Sequence, residues 1–192
     1  MEDSIALSNW EVKMSVMDID KTRKLFCLAT AEVFLMNPYA RSSIARWNTS
    51  NWDCLRGTLD EFWLDMVQVE TKSRDYRFGL EDIKKAVPDD EDATWDGLPE
   101  AQSAGMIVFA TSILFMNGEN QMKDEVSTLA LECVTSFMNS RCESNEEEDL
   151  VTFEKNRQDA LLNELTEFEF SQQNIARVKI SALENHYTFR SF

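Results

Sequence analysis

The sequence predicts an all-α protein: a single-domain bundle of seven or eight helices around a buried central helix over about residues 99–117. Three observations carry this expectation. Only 5 Gly and 3 Pro occur in 192 residues, too few breakers for a many-turned β architecture. Apolar residues recur at helical spacing in segment after segment, and no strand-type alternation of useful length appears. The most apolar run, residues 105–116, leaves almost no polar face. It is well short of the ~20 residues that span a bilayer, so it belongs inside a bundle.

The elements follow in order. Residues 1–17 show no clean period and read as an N-terminal arm; residues 18–192 read as one helical domain. Asp18 or Asp20 suits the cap of a first helix, whose stripe is Phe26, Ala29, Val33 and Met36. Asn37-Pro38 is a stop-and-restart signal, with Asn as cap and Pro at the first helical position. A short helix through Ile44 and Trp47 ends in the polar run 48–51. The next helix, about 52–69, carries Leu55, Leu59, Phe62, Met66 and Val69, flanked by Trp63 and Val67. This broad face is expected to pack directly on the central helix.

A polar link over 71–77 leads to a short helix with Leu80, Ile83 and Val87 on one side, stopped by Pro88. Pro99 opens the central helix and Gly118 closes it. Met122, Val126, Leu129, Cys133 and Phe137 then form a matching stripe, which predicts an antiparallel helical hairpin. After a second acidic run, Leu150, Phe153, Leu161, Leu165 and Phe168 mark a C-terminal helix with a gap in its stripe at Arg157. Ser171 is placed to cap a restart carrying Ala176, Ile180, Leu183 and Tyr187.

The formal net charge is −16, and it is unevenly spread. Residues 1–80 sum to −2, residues 81–100 to −6 and residues 119–170 to −10; residues 101–118 hold no charge and the last 22 sum to +2. Such a field repels nucleic acid and membrane phosphates and attracts basic partners. No nucleic acid or membrane partner is expected. Cys27, Cys54, Cys133 and Cys142 lie far apart with no C-x-x-C pair, so no disulfide framework is expected and a reducing cytoplasm fits. The acidic N-terminus is not that of a secretory signal.

Catalytic chemistry finds little support. His186 is the one histidine; it reads as a surface residue at a helix end, with a Cys–His or Ser–His site as the alternative. One histidine and scattered cysteines give no zinc spacing. Asp92, Thr94, Asp96 and Gly97 match the opening of a calcium loop, but its twelfth position falls on Ser103 rather than on a bidentate Glu. No catalytic residue, metal or cofactor is therefore expected. The acidic segments remain. Asp89, Asp90, Glu91, Asp92 and Asp96 surround Trp95, either a binding anchor or a lid folded over the core. Glu146, Glu147, Glu148 and Asp149 precede a helix, where negative charge complements the dipole. That local role accounts for one or two acids and not for a net of −10.

Several stretches carry a family resemblance: FCLATAEVFLMNPY (26–39), LDEFWLDM (59–66) and DIKKAVPDDED (82–92), with the acidic helical tail after Glu146. On these, the chain from about Lys21 to His186 resembles the YjaG-like family of bacterial proteins, known as domain of unknown function 416. The resemblance implies an entirely helical fold. It implies no catalytic set, because the family has no assigned activity.

The reading that results is a non-enzymatic acidic binding protein, of the immunity or antitoxin kind, that masks a basic toxin such as a nuclease. Carboxylates standing in for phosphates would give fast, salt-sensitive association. The alternatives are a housekeeping or signalling adaptor whose acidity serves solubility, with self-association through an apolar helix face, and a carboxylate-based metal-dependent hydrolase.

Overall fold

The computed structural model describes residues 16–68, 75–88, 98–141 and 147–184. The described residues form eight helices and no strand. They are α1 (Val16–Leu35), α2 (Pro38–Trp47), α3 (Thr49–Val67), α4 (Leu80–Ala86), α5 (Leu98–Asn117), α6 (Met122–Arg141), α7 (Glu147–Thr166) and α8 (Gln172–Glu184).

Local chemistry sets the boundaries. The Asn37 carboxamide accepts from the Tyr39 and Ala40 amides at 2.8 and 3.2 Å, and Pro38 takes the first position of α2. Asn48 caps α3 by accepting from the Ser50 amide at 3.0 Å. The polar run at 48–51 is thus a cap and first turn, not a link, and α3 starts earlier than its stripe suggests. Asp82 accepts from the Gly79 amide at 3.1 Å at the start of α4. Ser171 Oγ accepts from the Asn174 amide at 3.2 Å and opens α8. Gly118 turns α5 into α6 with φ of +71°, a conformation that costs other residues a Cβ clash.

Two helices share the centre. α5 buries Ala101, Ala104, Ile107, Val108, Ala110 and Leu114, and with α6 it forms the most extensive helix pair. Its burial is not complete, because Met106 is 37% exposed. α1 is the more enclosed: every residue from Leu25 to Leu35 is buried, Thr30 and Glu32 included. It reads as amphipathic in sequence, yet α5, α6, α7, α8 and α3 surround it. α3 touches the central helix where Phe62 stacks on Phe115 at 4.2 Å. It packs on the central helix as its stripe suggests, and also on α1, α2, α4 and α8.

The last two helices turn differently from their apolar stripes. On α7, Phe153 points outward at 57% exposure, while Glu154 and Gln158 face inward with Leu161 and Leu165. The buried face runs 150, 154, 158, 161, 165, a regular helical series in which two polar residues replace hydrophobes. On α8, Ile175, Val178 and Ala182 are buried, while Ala176 and Ile180 are exposed. The reason is the seat on α1: the 175–178–182 face lies on it, and Lys179 reaches sideways to Asp60 of α3. No described helix is long and apolar enough to cross a membrane.

Candidate functional site

Three glutamates of the described chain, Glu32, Glu100 and Glu154, are enclosed, and a further set of acids is exposed. Glu32, on α1, is fully enclosed. Arg56 of α3 grips it with two bonds, Nη1 to Oε1 at 2.5 Å and Nη2 to Oε2 at 2.9 Å. Trp63 Nε1 donates to the same Oε2 at 2.8 Å. Arg56 also donates to Asp60 at 3.2 and 2.8 Å, and Lys179 of α8 reaches Asp60 at 3.4 Å while lying 5.6 Å from the Trp63 ring. Burial alone would lower the Arg56 pKa; the bonds and charge of Glu32, with those of Asp60, outweigh it and hold the pKa above its ordinary value. The result is a charged clasp joining α1, α3 and α8.

Glu154, on α7, is equally enclosed. Arg157, one turn on, donates to it through Nε at 2.7 Å and Nη2 at 2.8 Å, and Gln158 Nε2 donates at 2.6 Å. Gln158 accepts from the Ser127 hydroxyl and donates to the Ser127 carbonyl at 3.3 Å. Arg157 Nη2 reaches Thr30 Oγ1 at 3.4 Å. These bonds fasten α7 to α6 and α1. The signal for this centre lies in the gap at Arg157: placing Glu154 and Gln158 inside gives the stripe of α7 an unbroken period.

Beside this centre, α7 and α8 leave a cleft of about 190 Å³ over α1. Ala29, Val33, Leu161, Val178 and Ala182 line it, with Arg157, Ala160, Glu164 and Ser181. Arg177 of α8 pairs with Glu164 of α7 at 3.1 Å.

The second group lies on the surface. Asp124, Glu125 and Glu132 on α6, Asp159 and Glu164 on α7, Glu167 and Glu169 in the following turn, and Glu184 on α8 are exposed. Only Lys155 and Arg177 are exposed bases among the side chains described over 122–184. Eight exposed acids against two exposed bases leave the described surface over 122–184 predominantly negative.

Of the residues singled out from sequence, Asp89, Asp90, Glu91, Asp92, Trp95, Asp96 and Glu146 lie outside the described residues, as does His186. Glu147, Glu148 and Asp149 form the first turn of α7, of which the backbone alone is described. Among the described residues no three His, Cys, Asp or Glu gather as metal ligands. Cys27, Cys54 and Cys133 are buried free thiols. Burial pushes Cys54 up to about 11 and Cys133 up to about 12, the latter opposed by a hydrogen bond from Ser103, and raises Cys27 further. None of the three is a thiolate near neutral pH.

Known proteins give the fold a context. A protein of the DUF416 family from Shewanella baltica OS155 superposes with a TM-score of 0.64. The match covers 90% of this chain and 95% of that one at 15% identity, which speaks for the fold alone. No curated protein matches the sequence. The family model DUF416, a protein of unknown function, matches residues 16–188. Over nearly all of its helical body, the chain belongs to the DUF416 family.

Proposed function

We propose that the protein is a non-enzymatic binding module that masks a basic protein partner, in the manner of an immunity protein holding its toxin. One observation supports this reading above others: the segregation of eight exposed acids against two exposed bases over residues 122–184. The enclosed acids Glu32 and Glu154 are satisfied by arginine, tryptophan and glutamine inside the fold. Of the surface acids, Asp124 pairs with Lys123 and Glu164 with Arg177, while a surface of one predominant sign steers and selects a partner of the other. The acidic segments at 89–96 and 146–149 add to the same sign.

The test is capture from the native lysate with the full chain as bait, eluted along a salt gradient. The proposal expects one basic protein at stoichiometric yield, released as salt rises. Recovery of the bait alone at every salt contradicts it. The adaptor reading is then favoured, in which the acidity serves solubility.

A further inference from the structure

We infer that the α7–α8 cleft is the anchor pocket of this binding surface and takes one aromatic side chain of the basic partner. The inference rests on the function proposed above and assigns the residues of contact. Its first support is size. A cleft of about 190 Å³ is smaller than the ~300–1,000 Å³ of ordinary small-molecule sites. It exceeds the ~150 Å³ apolar cavity that accommodates a benzene ring. One ring with its Cβ is the matching occupant.

Its second support is the chemistry of the walls. Ala29, Ala160 and Ala182 are small enough to leave room for a ring, and Val33, Leu161 and Val178 give it apolar contact. Arg157 lines the cleft with its guanidinium fixed by two bonds to Glu154. A guanidinium bonded along its edge to a carboxylate stacks on an aromatic face at little entropic cost. The charges at the cleft are balanced, Arg157 by Glu154 and Arg177 by Glu164. The pocket itself therefore favours an uncharged ring, while the predominantly acidic exposed surface over 122–184 favours a partner that is basic overall.

Its third support is continuity. Phe153, Arg157, Ala160 and Glu164 fall at i, i+4, i+7 and i+11, one face of α7. Phe153 stands 57% exposed a turn beyond the pocket. An anchor pocket with an exposed aromatic at its edge and a charged rim is the anatomy of an interface centre.

The experiment titrates the full ¹⁵N-labelled chain with toluene, p-cresol and butylguanidinium, analogues of the Phe, Tyr and Arg side chains. Alongside it, lysate capture is repeated with Ala160→Leu, which fills the cleft from an exposed helical position. The inference expects p-cresol and toluene to shift the amides of Ala29, Ala160, Ser181 and Ala182. In Ala160→Leu those shifts should vanish at an unchanged melting temperature, and the captured partner should be lost. A response to butylguanidinium instead of the rings, or shifts spread evenly over the surface, overturns it. If the rings bind but Ala160→Leu still captures the partner, the cleft is not the anchor, and the binding-module reading survives. If wild-type chain captures nothing, that reading itself fails, and this inference with it, whatever the rings do.

Discussion

Glu32 and Glu154 inside the bundle, and Asp124, Glu125 and Glu132 on its α6 surface, are the same chemical group put to different use. The inner pair is desolvated and must be paired, because a buried carboxylate without compensating bonds costs several kcal/mol. Each accordingly sits in an arginine grip with a further neutral donor, Trp63 for one and Gln158 for the other. The outer acids keep their hydration and contribute little to folding, yet they set the field that a partner meets. A net charge of −16 therefore has to be divided by burial before it says anything about function.

The comparison breaks most visibly at Glu32. Its partners come from 24 and 31 residues away, so Glu32→Ala leaves Trp63 Nε1 without its acceptor and the largely buried Arg56 with Asp60 alone. The expected loss is about 3–5 kcal/mol by urea denaturation. Glu32→Gln keeps an acceptor for Trp63 and should lose distinctly less. A loss within experimental error for both would mean that the clasp adds nothing to folding. Glu154→Ala comes next, at about 2–3 kcal/mol, because Arg157 borders an open cleft and can turn toward water. Equal losses at the two sites would erase the distinction between a clasp spanning three helices and one built mainly on a single helix.

These two centres also mark where the sequence could be read and where it could not. α5 is legible because residues 105–116 are apolar nearly all round. The starts of α2 and α8 are legible because Asn37-Pro38 and Ser171 carry their own capping chemistry. α7 misleads, since hydrophobic periodicity assumes that the inward face is apolar. There Glu154 and Gln158 face inward while Phe153 is outside, so the strongest apolar residue points the wrong way. α8 fails for a related reason: Ile180 is as hydrophobic as Ile175, and only the seat on α1 decides between them. α1 hides its central place behind Thr30 and Glu32, whose partners lie far along the chain and form no local pattern. The cleft has no sequence signature at all, being the space left beside alanines on three helices.

Smaller effects sharpen the contrast. Gly118→Ala should cost about 1 kcal/mol, read as a lower melting temperature, because its φ of +71° is disfavoured by a Cβ. The buried thiols give a pH dependence of definite sign. Cys54 and Cys133 titrate near 11 and 12 in the fold against a reference of 9.0. The unfolded chain thus gives up these protons first, and stability falls as pH rises from about 9 toward 12. Below pH 9 their contribution is fully present. Denaturation curves at pH 8 and 10 check this, and serine at both positions should reduce the difference to the part that Cys27 contributes.

At the small end stand the surface acids. Reversing Glu125 and Glu132 together to lysine should shift stability by no more than about 0.5 kcal/mol per site. That variant supplies the most direct measurement: its melting temperature and its capture of the basic partner proposed above, taken side by side with wild type. The division of acids by burial expects a melting temperature close to wild type and capture that is lost or needs much lower salt. Capture at wild-type salt, or a fold that collapses with the reversal, would contradict it.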